Sequence, residues 1–239
     1  ISIRILNKIG ARYGQEFANR FGFDPERNPA YLTMALGAGS TTPLQMAGAY
    51  AVFANGGYRI SPYLISKVTD SDGKVLSEAR PAKAGDEANR VIDARNAFLM
   101  DSMLKDVVRH GTANKAMALK RTDLAGKTGT TNDSIDAWFA GYQPKLVGIA
   151  WMGYDKPRNL GARETGGGLA LPIWIGYMQK ALKDQPMVER EVPAGLVQYG
   201  SEYYYAETPP GSGVEALDVG QPPPAQQQQE RDAVRNELF

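Results

Sequence analysis

Three strand-like runs crowd the middle of this chain with almost nothing between them: Leu124–Thr131, Asp136–Tyr142 and Lys145–Tyr154, the last reading "KLVGIAWMGY". Parallel neighbours need a crossover of about a dozen residues, and no such length is present here. The runs are therefore expected to pair antiparallel, in chain order. Helical patterns stand on either side. "DARNAFLMDSMLKDVVRHG" places Phe98, Leu99, Met103, Val107 and Val108 at helical spacing, with Gly111 as the stop. "LALPIWIGYMQKALKD" follows the strands and is apolar on most sides at its start. "STTPLQMAGAYAVFANGG" opens like a helix, with Thr42 as N-cap, Pro43 at the first helical position and Gln45 completing a capping box. Asn55-Gly56-Gly57 ends it.

The flanks read less sharply. Residues 1–22 predict a helix and a shorter second one, broken near Gly10 and ended by "FGFDPERNP". "YRISPYLISKVTDSDGKVLSEA" predicts two strands joined by a tight turn at Asp72-Gly73. Trp138, Phe139, Trp151 and Trp174 are expected in the core. From Glu207 onward Pro, Gly and Gln dominate, which predicts a flexible tail over 207–239, with a short helix at "ERDAVRNELF". The order of elements gives an α+β domain built on an antiparallel sheet.

Composition limits the chemistry. The 239 residues, 43% hydrophobic, suffice for one well-cored domain with an appendage. A formal net charge of +1 without a basic block gives no footing for nucleic acid. The absence of cysteine excludes thiol catalysis, thiolate metal sites and disulfides, and leaves the compartment open. No apolar run of about 18 residues and no signal segment appears. The first residues, "ISIRILNKIGARYG", lack an initiator Met and carry Ile1, Ile5, Leu6, Ile9 and Tyr13 at helical spacing. That start looks like mid-helix, and the expectation is that chain lies upstream, with any anchor in it.

The richest stretch is "LAGKTGTTNDSIDAWFAGY", Leu124 to Tyr142. Gly126-Lys127-Thr128 could end a phosphate-binding loop, but the first glycine of that motif would fall on Arg121. The preceding "ALKRTDLA" is no buried strand, and Gly129 would weaken a following helix. The nucleotide reading fails. Lys127-Thr128-Gly129 is also the tripeptide of the serine acyl-transferases that react with penicillin. Alone it would arise by chance on the order of once in twenty chains of this length.

Its surroundings carry more. That stretch, then "KLVGIAWMGYD" and "TGGGLALPIW", resembles the end of the transpeptidase domain of class A (bifunctional) penicillin-binding proteins of the 1A type. "GAGSTTPLQMAGAYAVFANGGYRISPYLI" and "DSMLKDVVRHGTA" match the same domain in the same order, from about Ile1 to about Ala206. The resemblance implies a β-lactamase/transpeptidase-like fold, an antiparallel sheet flanked by helices and incomplete at the N-terminus. Residues 1–206 would be the C-terminal portion of that domain. It implies a peptidoglycan D,D-transpeptidase acting on D-Ala-D-Ala stem peptides and inhibited by β-lactams. Lys127, Thr128 and Thr130 become the catalytic candidates, and Gly129, Thr131 and Asn132 the substrate-binding ones. Lys127 would set a positive charge where the substrate carboxylate settles, with the hydroxyls of Thr128 and Thr130 beside it. Gly129 removes a side chain where substrate backbone approaches, and the N–H of Thr130 serves an oxyanion hole. An extended peptide would lie antiparallel to this strand.

The same chemistry needs a Ser-x-x-Lys nucleophile and a Ser-x-Asn group. No Ser-x-Asn triplet occurs, and two Ser-x-x-Lys matches are decoys. Ser102 and Lys105 share a helix face, but the nucleophile's own N–H must be free, as only first-turn amides are, and Ser102 falls deep in its helix. Ser71 to Lys74 is a hairpin tip. By the resemblance both motifs lie upstream of Ile1, together with a glycosyltransferase domain and an anchoring helix. Among other candidates, His110 reads as a surface residue at a helix C-terminus. Asp70 and Asp72 fail as a calcium loop, because Lys74 stands at the next ligand position. Asp133 and Asp136 read as turn caps, and Thr165 to Gly168 as a flexible bend, which by the resemblance borders the active-site entrance. No metal or organic cofactor is implied. The implied partners are stem peptides and β-lactams, with no nucleic acid, no assigned protein partner, and a membrane reached only through the upstream anchor. The implied place is the periplasmic face of the bacterial inner membrane. Two rivals stand beside this reading: a non-catalytic peptide-binding or structural fragment of the same domain, and an independent acyl-enzyme using Ser102 and Lys105.

Overall fold

The computed structural model describes residues 1–162 and 164–212. The chain opens with α1 (Ser2–Ile9) and α2 (Ala11–Arg20), broken at Gly10, and the second helix is the longer of the two rather than the shorter. Helix α3 (Pro43–Ala54) starts where the sequence places it. Thr42 Oγ1 accepts from the Gln45 amide at 3.1 Å, and Gln45 Oε1 accepts from the Thr42 amide at 3.0 Å. Two of the orphan amides of the first turn are thereby satisfied.

The hairpin of β1 (Lys67–Thr69) and β2 (Val75–Glu78) forms, but its turn centres one residue earlier than expected. The Asp70 carbonyl accepts from Gly73 N–H at 3.1 Å, so Ser71 and Asp72 take the corner. Gly73 follows at φ 80°, the left-handed position of a bulge. The Asp70 carboxylate draws the chain round by accepting from the amides of Asp72 and Lys74.

Helix α4 (Ala94–Arg109) is capped by Asp93, which accepts from Arg95 N–H at 2.9 Å. Its inner face carries Ala97, Asp101, Leu104, Lys105 and Val108, while Met103 of the apolar pattern is 58% exposed. Charges could turn inward because they are satisfied there. The Asp101 carboxylate accepts from the Tyr142 hydroxyl at 2.9 Å and pairs with Lys105 Nζ at 3.2 Å.

Strands β3 (Ala125–Thr130), β4 (Ala137–Gln143) and β5 (Leu146–Met152) form the antiparallel sheet in that spatial order. Cross-strand partners share a face. The register pairs Lys127 with Ala140, Gly129 with Trp138, and Trp138 with Trp151, so these stand on the first face. Thr128, Phe139 and Ala150 stand on the second. That second face is closed by α5 (Leu171–Ala181): Phe139, Trp174 and Met178 are buried together, and the Trp174 indole donates to the Gly148 carbonyl at 3.1 Å. On the first face Ala125 and Tyr142 form a smaller cluster with Ala54 and Leu104. Helix α4 contributes Leu104 to one cluster and Val108 to the other, and so lies along the buried half of β3.

A second hairpin, β6 (Leu196–Tyr199) and β7 (Glu202–Tyr205), was not expected. Its signal was available: Gly200-Ser201 between an apolar and an aromatic run is a two-residue hairpin turn. It lies on α4, where Phe98 and Tyr203 meet edge to face at 5.0 Å and Arg95 pairs with Glu207 at 2.8 Å. The segment leading to it is tied down just before β3. Buried Asp123 accepts from Val188 N–H at 3.0 Å and from the Arg121 guanidinium, which also donates to the carbonyls of Gln185 and Pro186. Residues 213–239, which include most of the expected tail and its short helix, lie outside the described residues. Among the described residues no helix is long and apolar enough to cross a membrane.

Candidate active site

Strand β3 is an edge strand, and its two halves differ. Ala125 and Gly126 are buried, while Lys127 and Thr130 are exposed and Thr128 and Gly129 half-buried. Thr131 N–H donates across the sheet to the Asp136 carbonyl at 3.1 Å. Backbone groups alternate sides along a strand, so the N–H groups of Thr130 and Thr128 face the open edge. Lys127 reaches over that edge, and its Nζ donates to the Thr128 carbonyl at 2.9 Å. Among the described residues no carboxylate pairs with it. An exposed ammonium beside outward amides, on a strand edge with no partner among the described strands, suits the anionic end of an extended peptide.

A cleft of about 620 Å³ opens beside it on the first face of the sheet. Lys127, Trp138 and Trp151 line one wall, and Ser40, Met46 and Tyr50 stand on the other. Burial pushes the Tyr50 phenol up to about 12, so it stays neutral near pH 7 and can donate but not act as a base. Asp136 also reaches the cleft, with Oδ1 accepting from the Trp151 indole at 2.8 Å.

The six expected site residues divide. Lys127, Thr128, Gly129, Thr130 and Thr131 line the cleft together, whereas Asn132 is exposed outside it. Thr130 Oγ1 accepts from Gly166 N–H at 3.0 Å and keeps its proton for a further acceptor. Thr128 Oγ1 lies 2.7 Å from Thr112 Oγ1. Thr131 Oγ1 accepts from the amides of Ile135 and Asp136 at 3.0 and 2.8 Å, which shapes the turn between β3 and β4.

Two expectations are corrected here. Trp138 and Trp151 are not core: they pair across β4 and β5 at 6.0 Å in the cleft, and Trp151 is 37% exposed. Alternation puts them on the face opposite Phe139, and the cluster that buries Tyr142 on that face does not include them. Nor is Thr165 to Gly168 a loose bend. Thr165 caps a π-helical turn, Gly166–Ala170, that is wedged against the motif strand. A Cβ on Gly166 would fall 2.5 Å from the Gly129 carbonyl oxygen and closer still to that of Trp138. The glycine is there for contact.

The decoys stay away from the cleft. Ser102 sits well inside α4 and half-buried, while Lys105 is committed to Asp101 and, at 3.6 Å, to Glu189. Ser71 is at an exposed hairpin tip, and exposed His110 has Nδ1 3.7 Å from Asp106. Among the described residues no cluster could hold a metal ion.

A Lys-Thr-Gly edge strand on an antiparallel sheet, closed behind by a helix and open in front to a cleft, defines the β-lactamase/transpeptidase-like class of α+β domain. The family model described as the penicillin binding protein transpeptidase domain matches residues 2–157, and the chain belongs to that family. Its relatives are of the class A, 1A type. "Penicillin-binding protein 1A" of Neisseria gonorrhoeae is 48% identical over 242 residues, covering 99% of this chain and 30% of the relative. The crystal structure of Penicillin-Binding Protein 1A from Haemophilus influenzae matches with a TM-score of 0.76 at 38% identity, over 82% of this chain and 34% of that one. PonA1 from Mycobacterium tuberculosis, solved in complex with penicillin V, matches with a TM-score of 0.57 at 29% identity, over 75% and 47% of the two chains. The chain thus spans about 30% of the length of the curated relatives it matches.

Proposed function

We propose that this chain is one wall of a serine D,D-transpeptidase of peptidoglycan synthesis, with residues 1–206 the C-terminal portion of that domain and 207–239 an appended tail. The observation that carries the reading is Lys127, an exposed cation without a carboxylate partner among the described residues, on the open edge of β3. A stem peptide ending in D-Ala-D-Ala adds to that edge with its terminal carboxylate at Lys127 and Thr128. Gly129 lets its backbone approach, and Thr131, whose hydroxyl fixes the turn into β4, closes the end of the groove. A serine hydroxyl from outside this chain attacks the penultimate carbonyl, whose oxygen becomes the oxyanion held by the outward Thr130 N–H. The C–N bond breaks, D-Ala leaves with the proton, and an ester remains. An amine of a neighbouring strand attacks that ester, the serine recovers a proton, and a cross-link has formed. Water in place of the amine gives carboxypeptidase activity. β-Lactams acylate the same serine, in keeping with the penicillin V complex of the PonA1 relative. The working place is the periplasmic face of the bacterial inner membrane, with anchor and glycosyltransferase domain in other parts of the parent protein.

A second reading concerns the chain taken alone. Neither Ser-x-x-Lys match reaches the cleft, so the described residues by themselves read as a binding wall that takes its nucleophile from elsewhere in the parent protein.

Fluorescent penicillin tests both. A parent protein of the relatives' full length is expected to be labelled outside this chain, and residues 1–239 alone to take no covalent label. A penicilloyl adduct on Ser102 would overturn this. In the parent, Lys127→Ala is expected to slow acylation by about 10- to 100-fold, the range of a hydrogen bond to a charged group. Its thermal midpoint should hardly move. Unchanged acylation with a collapsed midpoint would refute the role of Lys127.

A further inference from the structure

The motif strand has a neighbour that its sequence motif does not include. Thr112 Oγ1 lies 2.7 Å from Thr128 Oγ1, on the second face of the sheet and at the same end of the edge as Lys127. Two hydroxyls at that distance share one proton and leave the other to be given away. If Thr112 donates, the Thr128 proton points outward, and an anion bound there selects that arrangement and is bound more strongly by the polarised chain.

Thr112 is well placed to hold this geometry. It follows α4 through a tight turn in which Gly111 and Ala113 both donate to the Val107 carbonyl at 3.1 Å. Fully buried Ala113 and Ala116 then seat the next 3-10 turn, Asn114–Leu119, in the second-face core. Lys115 stands between those two anchors and is exposed. Among the described residues its Nζ reaches only the Gly167 carbonyl, at a long 3.4 Å, and no carboxylate pairs with it. Gly167 closes the patch: a Cβ there would lie 3.2 Å from the Thr112 carbonyl oxygen and 3.8 Å from Thr128 Cγ2.

We propose that Thr112 and Lys115 complete the subsite for the substrate's terminal carboxylate, Thr112 as a positioning residue acting through the Thr128 hydroxyl and Lys115 as a second cation beside Lys127. The inference rests on the reading of the cleft given above and adds residues to it. A carboxylate at Thr128 then meets two ammonium groups, one from each side of the strand, and a hydroxyl whose proton is already directed.

The test uses the full-length parent protein and a matched pair of probes, benzylpenicillin and its neutral methyl ester, with the second-order acylation constant as readout. Thr112→Val is expected to lower the constant for the acid about tenfold, the loss of one charge-assisted hydrogen bond, and that for the ester by less than about twofold. Thr112→Ser, which restores the hydroxyl, should return the acid to within about twofold. Lys115→Ala is expected to cost the acid about two- to fivefold at low salt, a loss that shrinks as salt screens the exposed charge. An equal loss for acid and ester, or no loss for either, overturns the proposal. If Thr112→Val does not fold, the acid-to-ester ratio of Lys115→Ala decides alone. Lys127→Ala is the separating arm. If it too leaves the ratio unchanged, the reading of the cleft fails; if it lowers the ratio and the other variants do not, only this inference fails.

Discussion

On the second face of the sheet, Phe139, Trp174, Leu171 and Met178 exclude solvent almost completely. On the first face, one residue along the same strands, Trp138 and Trp151 stand in a cleft and Lys127 projects into water. Both environments meet in the aromatic-rich run "DAWFAGY": the pleat sends Trp138 and Phe139 to opposite sides, and the first face is covered only at its Tyr142 end, by Ala54 and Leu104. The closed face holds the strands in register, because a slip of one residue would turn Phe139 out of the buried cluster. The open face is thereby free to display groups whose value lies in contact with something else. A change on the closed face should therefore act on folding first. A change on the open face should act on the ligand first.

The largest expected effect comes from Trp174→Ala. Removing a fully buried indole leaves a cavity against Phe139 and orphans the Gly148 carbonyl that accepted from it. Loss of stability of about 3–5 kcal/mol is expected, measured as the denaturant or thermal midpoint of the transpeptidase domain. A loss below about 1 kcal/mol would mean that the second face is not the structural one.

Much of this division was legible beforehand and part of it was not. The antiparallel order and the capping box of α3 rest on local rules, connection length and side-chain reach, that tertiary structure had no reason to override. Of the four aromatics expected in the core, Phe139 and Trp174 are buried, while alternation puts Trp138 and Trp151 on the opposite face. Met103 belongs to the apolar helical pattern yet is exposed, because Asp101 and Lys105 take the inner face, where each is paired. Local sequence carries no notice of a partner 41 residues away. The run Thr165 to Gly168 looked flexible for a similar reason. Its glycines are read as freedom when seen alone, and as closeness once Gly129 lies against them. Lys127 on the open half of β3 followed from the motif, whereas its neighbours Thr112 and Lys115 came to it only through the fold.

Gly166→Ala sharpens the contrast, because Gly166 joins the two faces' functions: it is buried and also touches the motif strand. The added methyl would press on the backbone of Gly129 and Trp138, which cannot yield as a side-chain tip could. Overpacking of this kind is expected to cost about 1–3 kcal/mol. Acylation should fall further than stability does, since the displaced segment carries Thr130 and its outward N–H. Stability and acylation falling in step would show that the turn serves packing only.

The smallest expected effect is that of Trp151→Ala, and it is the one able to break the comparison. Trp151 gives its indole N–H to Asp136 and its ring to Trp138, and over a third of its surface meets solvent. Asp136 can turn to water when the indole is gone, so no buried group is stranded. The loss is then an exposed hydrogen bond and an aromatic pair, together about 1 kcal/mol. Trp151→Phe, which keeps the ring contact and drops the N–H, should cost less still. Should Trp151→Ala in the full-length parent cost as much as Trp174→Ala, the first face must be covered there by residues outside this chain. The cleft would then be a seat for protein rather than for ligand along its tryptophan wall. Ligand contact would be confined to the strand edge itself, at Lys127, Thr128 and Thr130.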